Sequence, residues 1–138
     1  MCFVYLIIKF FCMTVSIEIG IGELIDRLTI LKIKLDEITD ESKLANIRIE
    51  YEYLLSLADK IETHPKTDKL LEELYDVNSE LWDVEDELRQ CEREKSFGKE
   101  FIELARSVYR LNDRRAAIKK EINQLHGSKF IEEKSYKG

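Results

Sequence analysis

One stretch restricts what this chain can fold into more than any other. Phe97, Phe101, Leu104, Val108, Leu111, position 115, Ile118, Ile122 and Leu125 follow one another in steps of four and three. That is the repeat of one face of an α-helix, and a strand with its period of two cannot use it. Every member of the seam is apolar except Arg115. Its stem must start in the apolar face. A charge buried there costs on the order of several kcal/mol unless a carboxylate or another anion meets it. Arg115 therefore either closes a structural ion pair that fixes helix register, or forms an anion site in or at the rim of a bundle. The guanidinium fork suits both, because it holds two oxygens at once. Asn112, on the edge of the same face, would orient such an anion.

Three more seams precede this one. Ile21, Leu24, Leu28, Leu31, Leu35 and Ile38 predict a first helix over residues 21–38, widened on one flank by Ile25. Ile30 and Ile33 point elsewhere and ask for a second surface. Lys32 lies between Leu28 and Leu35. It either snorkels to the rim, with Asp36 as its partner, or is a second inward cation. Leu44, Ile47, Tyr51, Leu54, Ala58 and Ile61 predict a second helix over 42–62. Arg48 borders that seam, one turn before Glu52, and is the third candidate for an anion clasp. Thr63-His64-Pro65 ends the helix. Thr67 is read as the N-cap of a third, with the seam Leu70, Leu74, Val77, Leu81, Val84, Leu88 and Cys91 and an acidic outer face. The fourth runs over residues 98–126, with Gly127 as its natural stop. Ahead of the first helix, residues 14–19 alternate as in a short strand or extended arm. Gly20-x-Gly22 lacks the lysine and longer glycine run of a phosphate loop.

Only one proline and five glycines occur in 138 residues, which disfavours a turn-rich β fold. The expectation is an all-α fold, an antiparallel bundle of four helices in which the third and fourth form a longer, coiled-coil hairpin. Its overhang would carry Cys91, Phe97, Phe101 and Ile102, an apolar tip that a homodimer would cover. A break in helix three at Asn78-Ser79 would remove the overhang. Residues 1–12 are strongly apolar, but a membrane span needs about 20 such residues. They are read as an extension outside the fold, with residues 13–138 as a single domain. Phe130, Ile131 and Tyr136 would anchor the tail over the bundle end.

The net charge of −6 argues against nucleic acid as a partner, although Arg106, Arg110, Arg114 and Lys119-Lys120 form a basic set. The acidic stretch 66–96 and the basic stretch 97–138 should attract each other within the chain. Three cysteines and two histidines with no ligand spacing make no metal centre, and they fit a reducing cytoplasm. No cofactor motif and no complete catalytic motif is present.

Three blocks carry a family resemblance. GELIDRLTILKIKLDEI (22–38), KLANIRIEYEYL (43–54), and LNDRRAAIKKEINQLHGS with the following EEKSY (111–136) resemble domain-of-unknown-function family 6165, small helical proteins of bacteria and phage. The resemblance implies that Asp26, Lys34, Asn112, Arg115, Glu132 and Glu133 are signature positions, and it implies no activity. Ile25-Asp26-Arg27-Leu28 is also similar to the first helix of all-helical chorismate mutases, which surround a dicarboxylate with buried arginines and lysines. Where those enzymes carry an arginine ahead of this segment, this chain has Ile21. The favoured reading is a non-catalytic assembly or adaptor protein that forms a homodimer. The alternative is a protein or enzyme that binds a small carboxylate or phosphate through Arg115, Lys32, Arg48 and Asn112.

Overall fold

The computed structural model describes residues 14–137. Within them the chain forms four helices and no strand: α1 (Ile21–Glu37), α2 (Glu41–Ala58), α3 (Pro65–Glu94) and α4 (Lys99–Leu125). Residues 14–20 are an irregular arm that leaves Val15 and Ile17 exposed and rests Ile19 against the bundle. The apolar extension 1–12 and the start at Met13 lie outside the described residues.

The bundle is arranged around α1, which buries two faces. On one face Leu24, Leu28 and Leu31 meet Leu54 of α2, with Ile47, Tyr51 and Leu57 around them. On the other, Ile25 joins Leu70, Leu74, Val77 and Leu81 of α3 and Leu111, Ile118 and Ile122 of α4. Among the described residues α2 meets α1 and no other helix. α3 and α4 run antiparallel. The Thr67 hydroxyl at the start of α3 lies 2.8 Å from His126 Nε2 just past the end of α4.

α3 passes through Asn78 unbroken, so the hairpin keeps its full length. α3 has 30 residues and α4 has 27, against 17 in α1. At about 1.5 Å per residue the hairpin is longer than α1 by roughly 15–20 Å. Residues 92–100 are all exposed. At this tip Phe97 is 48% and Ile102 51% exposed, and the Phe97 and Phe101 rings meet edge to face at 5.3 Å.

One helix start differs from the sequence reading, and another, at Ile21 as expected, is capped from a distance. α3 begins before Thr67, because the fixed φ of Pro65 suits the first helical position, where its missing N–H costs nothing. His64 caps it by accepting the Lys66 N–H. α1 has no cap of its own, since Gly20 offers no side chain. The far end of α4 supplies the acceptors: Gly22 N–H donates to Asn123 Oδ1 at 2.8 Å and Ile21 N–H to Ser128 Oγ at 3.2 Å. A Cβ on Gly22 would fall 2.4 Å from the Lys119 carbonyl oxygen, and one on Gly20 2.6 Å from Asn123 Oδ1. The two glycines thus let α1 butt against α4, and the amides that a phosphate would seek are already taken.

Gly22→Ala should lower the free energy of unfolding by about 2–3 kcal/mol, the cost of forcing two backbones apart. Gly98→Ala, where a Cβ meets nothing within 4 Å, should change it by less than about 1 kcal/mol. Urea unfolding of both variants gives the comparison.

Candidate functional site

The interruption in the α4 seam finds its explanation on α1. Asp26 is 1% exposed, and Arg115 meets it with two parallel bonds, Nε to Oδ1 at 2.8 Å and Nη2 to Oδ2 at 2.6 Å. α3 contributes Asn78, whose Nδ2 donates to Asp26 Oδ1 at 2.9 Å and to Thr29 Oγ1 at 2.8 Å. Thr29 in turn donates to the Asp26 carbonyl. One turn beyond Arg115, Lys119 Nζ lies 2.6 Å from Glu23, 3.8 Å from Asp26 and 3.4 Å from Glu132. Three helices and the tail therefore converge on two cations and three carboxylates. Among the described residues, no buried side-chain nitrogen or oxygen lacks a hydrogen-bond partner.

The other candidates lie elsewhere. Lys32 is exposed and holds Asp36 at 2.9 Å. Arg48 is exposed and reaches back to Glu41 at 3.3 Å, not forward to Glu52. No ion pair or hydrogen bond joins either of them to Arg115. Asn112 is half-buried and donates to the Val108 carbonyl at 3.0 Å, beside Arg115 on the wall of a cleft. The Lys34 side chain makes no ion pair among the described residues.

Residues 129–137 return along α4 by charge. Glu133 holds Lys120 at 3.0 Å, and Lys134 donates to the Asn112 carbonyl at 3.2 Å and to Asp113 at 3.3 Å. The anticipated apolar anchors Phe130, Ile131 and Tyr136 are all exposed. The ladder Glu132, Glu133, Lys134 fastens the segment instead, on Lys119, Lys120 and Asp113 of α4.

Residues 15–138 match the model of a family of unknown function. The chain belongs to this family, DUF6165. No curated protein and no solved structure matches it. Of the signature positions that the resemblance supplied, Asp26, Arg115 and Glu132 meet in the charged cluster, and Glu133 holds the tail next to it.

Sequence reasoning on the residues alone did not place Asp26, Asn78, Glu23 or Lys119 in this site: Asn78 was weighed as a helix break and Lys119 as part of a basic set. A signal was there. Gly22, Asp26, Thr29 and Ile33 fall in steps of four and three and are all buried, so they form the second inward face that Ile33 had hinted at. Lys119 stands four residues after Arg115, on the same side of the helix.

Electrostatics ties the cluster to pH. Burial works against the Glu23 carboxylate, but Lys119 and Arg27 beside it together outweigh this and hold its pKa below the usual range. Burial also works against the Lys119 ammonium, yet Glu23 and Asp26 hold its pKa above the usual lysine range. A lowered acid pKa contributes stability above the ordinary value, about 4.3, and loses it as pH falls through the folded value. A raised lysine pKa contributes below about 10.4 and loses it as pH rises through the folded value.

Two outcomes are expected. Unfolding midpoints should plateau between those limits and fall on both sides, and Glu23→Gln should remove part of the acid-side fall. Asp26→Leu, which leaves the half-buried Arg115 without its partner, should cost about 3–5 kcal/mol. Adding Arg115→Met to Asp26→Leu should recover at least half of that loss in a double-mutant cycle.

Proposed function

We propose that this protein is a non-catalytic assembly or adaptor protein that works as a homodimer through the tip of the α3–α4 hairpin. The observation that carries the reading is the apolar tip, where Phe97 and Ile102 are about half exposed and Phe101 is half-buried beside them, while Cys91, expected in the same tip, is buried within the chain. An exposed cluster of large apolar groups gains by being covered. A two-fold copy is the occupant that the charges favour. The outer face of α3 is acidic through Glu80, Asp83, Asp86 and Glu87, and that of α4 is basic through Arg106, Arg110 and Arg114. An isologous contact that lays α3 of each chain against α4 of the other sets acid against base twice.

The interior charges support a structural role as well. The fully buried polar atoms of the cluster around Asp26 all find partners within the described residues. A three-cation clasp of Arg115, Lys32 and Arg48 is disfavoured because each of them already holds a carboxylate.

Sedimentation velocity at about 50 μM should give the mass of a dimer. Phe97→Asp or Ile102→Glu should give a monomer with unchanged helical circular dichroism, since exposed positions tolerate such changes within about 0.5 kcal/mol. A wild-type chain that sediments as a monomer at that concentration overturns the reading.

A further inference from the structure

Next to the Asp26–Arg115 pair, a cleft of about 450 Å³ opens between the three core helices. Ile30 and Ile33 of α1, Leu81 and Trp82 of α3, and Asn112 and Arg115 of α4 line it, and Glu85, Asp86 and Arg89 stand at its exposed rim. We propose that this cleft binds a small monocarboxylic acid with a compact apolar body, seated on Arg115 and Asn112. The proposal is independent of the dimer.

The guanidinium carries the argument. Asp26 takes one N–H from Nε and one from Nη2, which leaves Nη1 with both of its N–H groups and no partner among the described residues. The side chain is 28% exposed, and it lines the cleft. Because Asp26 pins the plane of the fork, little side-chain freedom is left to lose when a second acceptor arrives. Asn112 lies one turn before Arg115 on the same helix face. Its amide spends one N–H on the Val108 carbonyl and keeps the other. These two groups offer a carboxylate donors from one wall.

The remaining wall suits an apolar body. Ile30, Ile33, Leu81 and Trp82 supply it, and the volume falls in the range of small-molecule sites. The rim selects the charge. Arg89 lies 3.7 Å from Glu85, and Asp86 has no ion-pair partner among the described residues. A multiply charged phosphate would meet that excess of acid, whereas a single carboxylate held deeper by Arg115 meets much less of it. Since Asp26 already balances much of the Arg115 charge, the attraction is modest, and half-saturation is expected at about 0.1–1 mM.

The sequence contains a single tryptophan, Trp82, so its emission reports on the cleft directly. The full chain would be titrated with 4-methylpentanoate, which does not absorb, and in parallel with 4-methylpentylamine and inorganic phosphate. A saturable change in emission is expected for the carboxylate, and at least about tenfold weaker binding for the other two. Ile30→Glu sets a competing charge on a half-exposed wall without touching the Asp26 pair, and should weaken binding at least about tenfold. Asn112→Leu, which removes the second donor, is the companion variant should the first lose its helical circular dichroism. The proposal falls if the wild-type response stays linear to about 10 mM. It also falls if amine or phosphate binds as well as the acid, or if a folded variant binds as tightly as the wild type.

Discussion

A carboxylate almost wholly removed from water must be matched by donors, and Asp26 draws them from two other helices. Arg115 comes from α4 and Asn78 from α3. Apolar seams tolerate sliding, because one methyl group replaces another at small cost. A bidentate pair does not, since a shift of one turn would strand a charge in a low-dielectric interior. The seams therefore supply the drive to associate, and the Asp26 cluster sets which turn of α4 lies against which turn of α1. Lys119 extends the same logic one turn further, and Glu132 brings in the tail.

Much of this architecture was legible in the sequence, for a physical reason. A helix that buries one face must repeat its apolar residues at the helical period, so the seams of α2, α3 and α4 could be counted directly. Arg115 was visible because it interrupts such a count. Asp26 and Lys119 interrupt nothing. Each follows an apolar seam residue, Ile25 or Ile118, and lies just off the seam that was counted. A charged residue beside a stripe normally faces water. What turns these two inward is that α1 is buried on both sides, a property of the assembled helices that no single periodicity displays. Asn78 was read for its local effect on helix propensity, whereas it acts across 52 positions of sequence by donating to Asp26. The tail was misjudged for a related reason. Its apolar residues drew attention, but contact is decided by what the opposite surface offers, and α4 offers charge.

The glycine pair shows the same dependence on distant chain. Gly20-x-Gly22 has the look of an anion loop cut short. Its amides are satisfied by Asn123 and Ser128, and the missing side chains make room for the Asn123 side chain at Gly20 and the Lys119 backbone at Gly22. The first helix is thus completed by residues that the chain supplies a hundred positions later.

The placement of α2 has a further consequence. It is bound through one apolar patch on α1 and stands on the opposite side from the charged cluster. The two halves of the interior share a helix but no side-chain layer. Cooperativity between them is carried by α1 alone, so peeling α2 away exposes Leu24, Leu28 and Leu31 while the register of α1, α3 and α4 is kept. Backbone amides in α2 would then trade hydrogen with solvent through a low-energy opening, well before those of the three-helix unit.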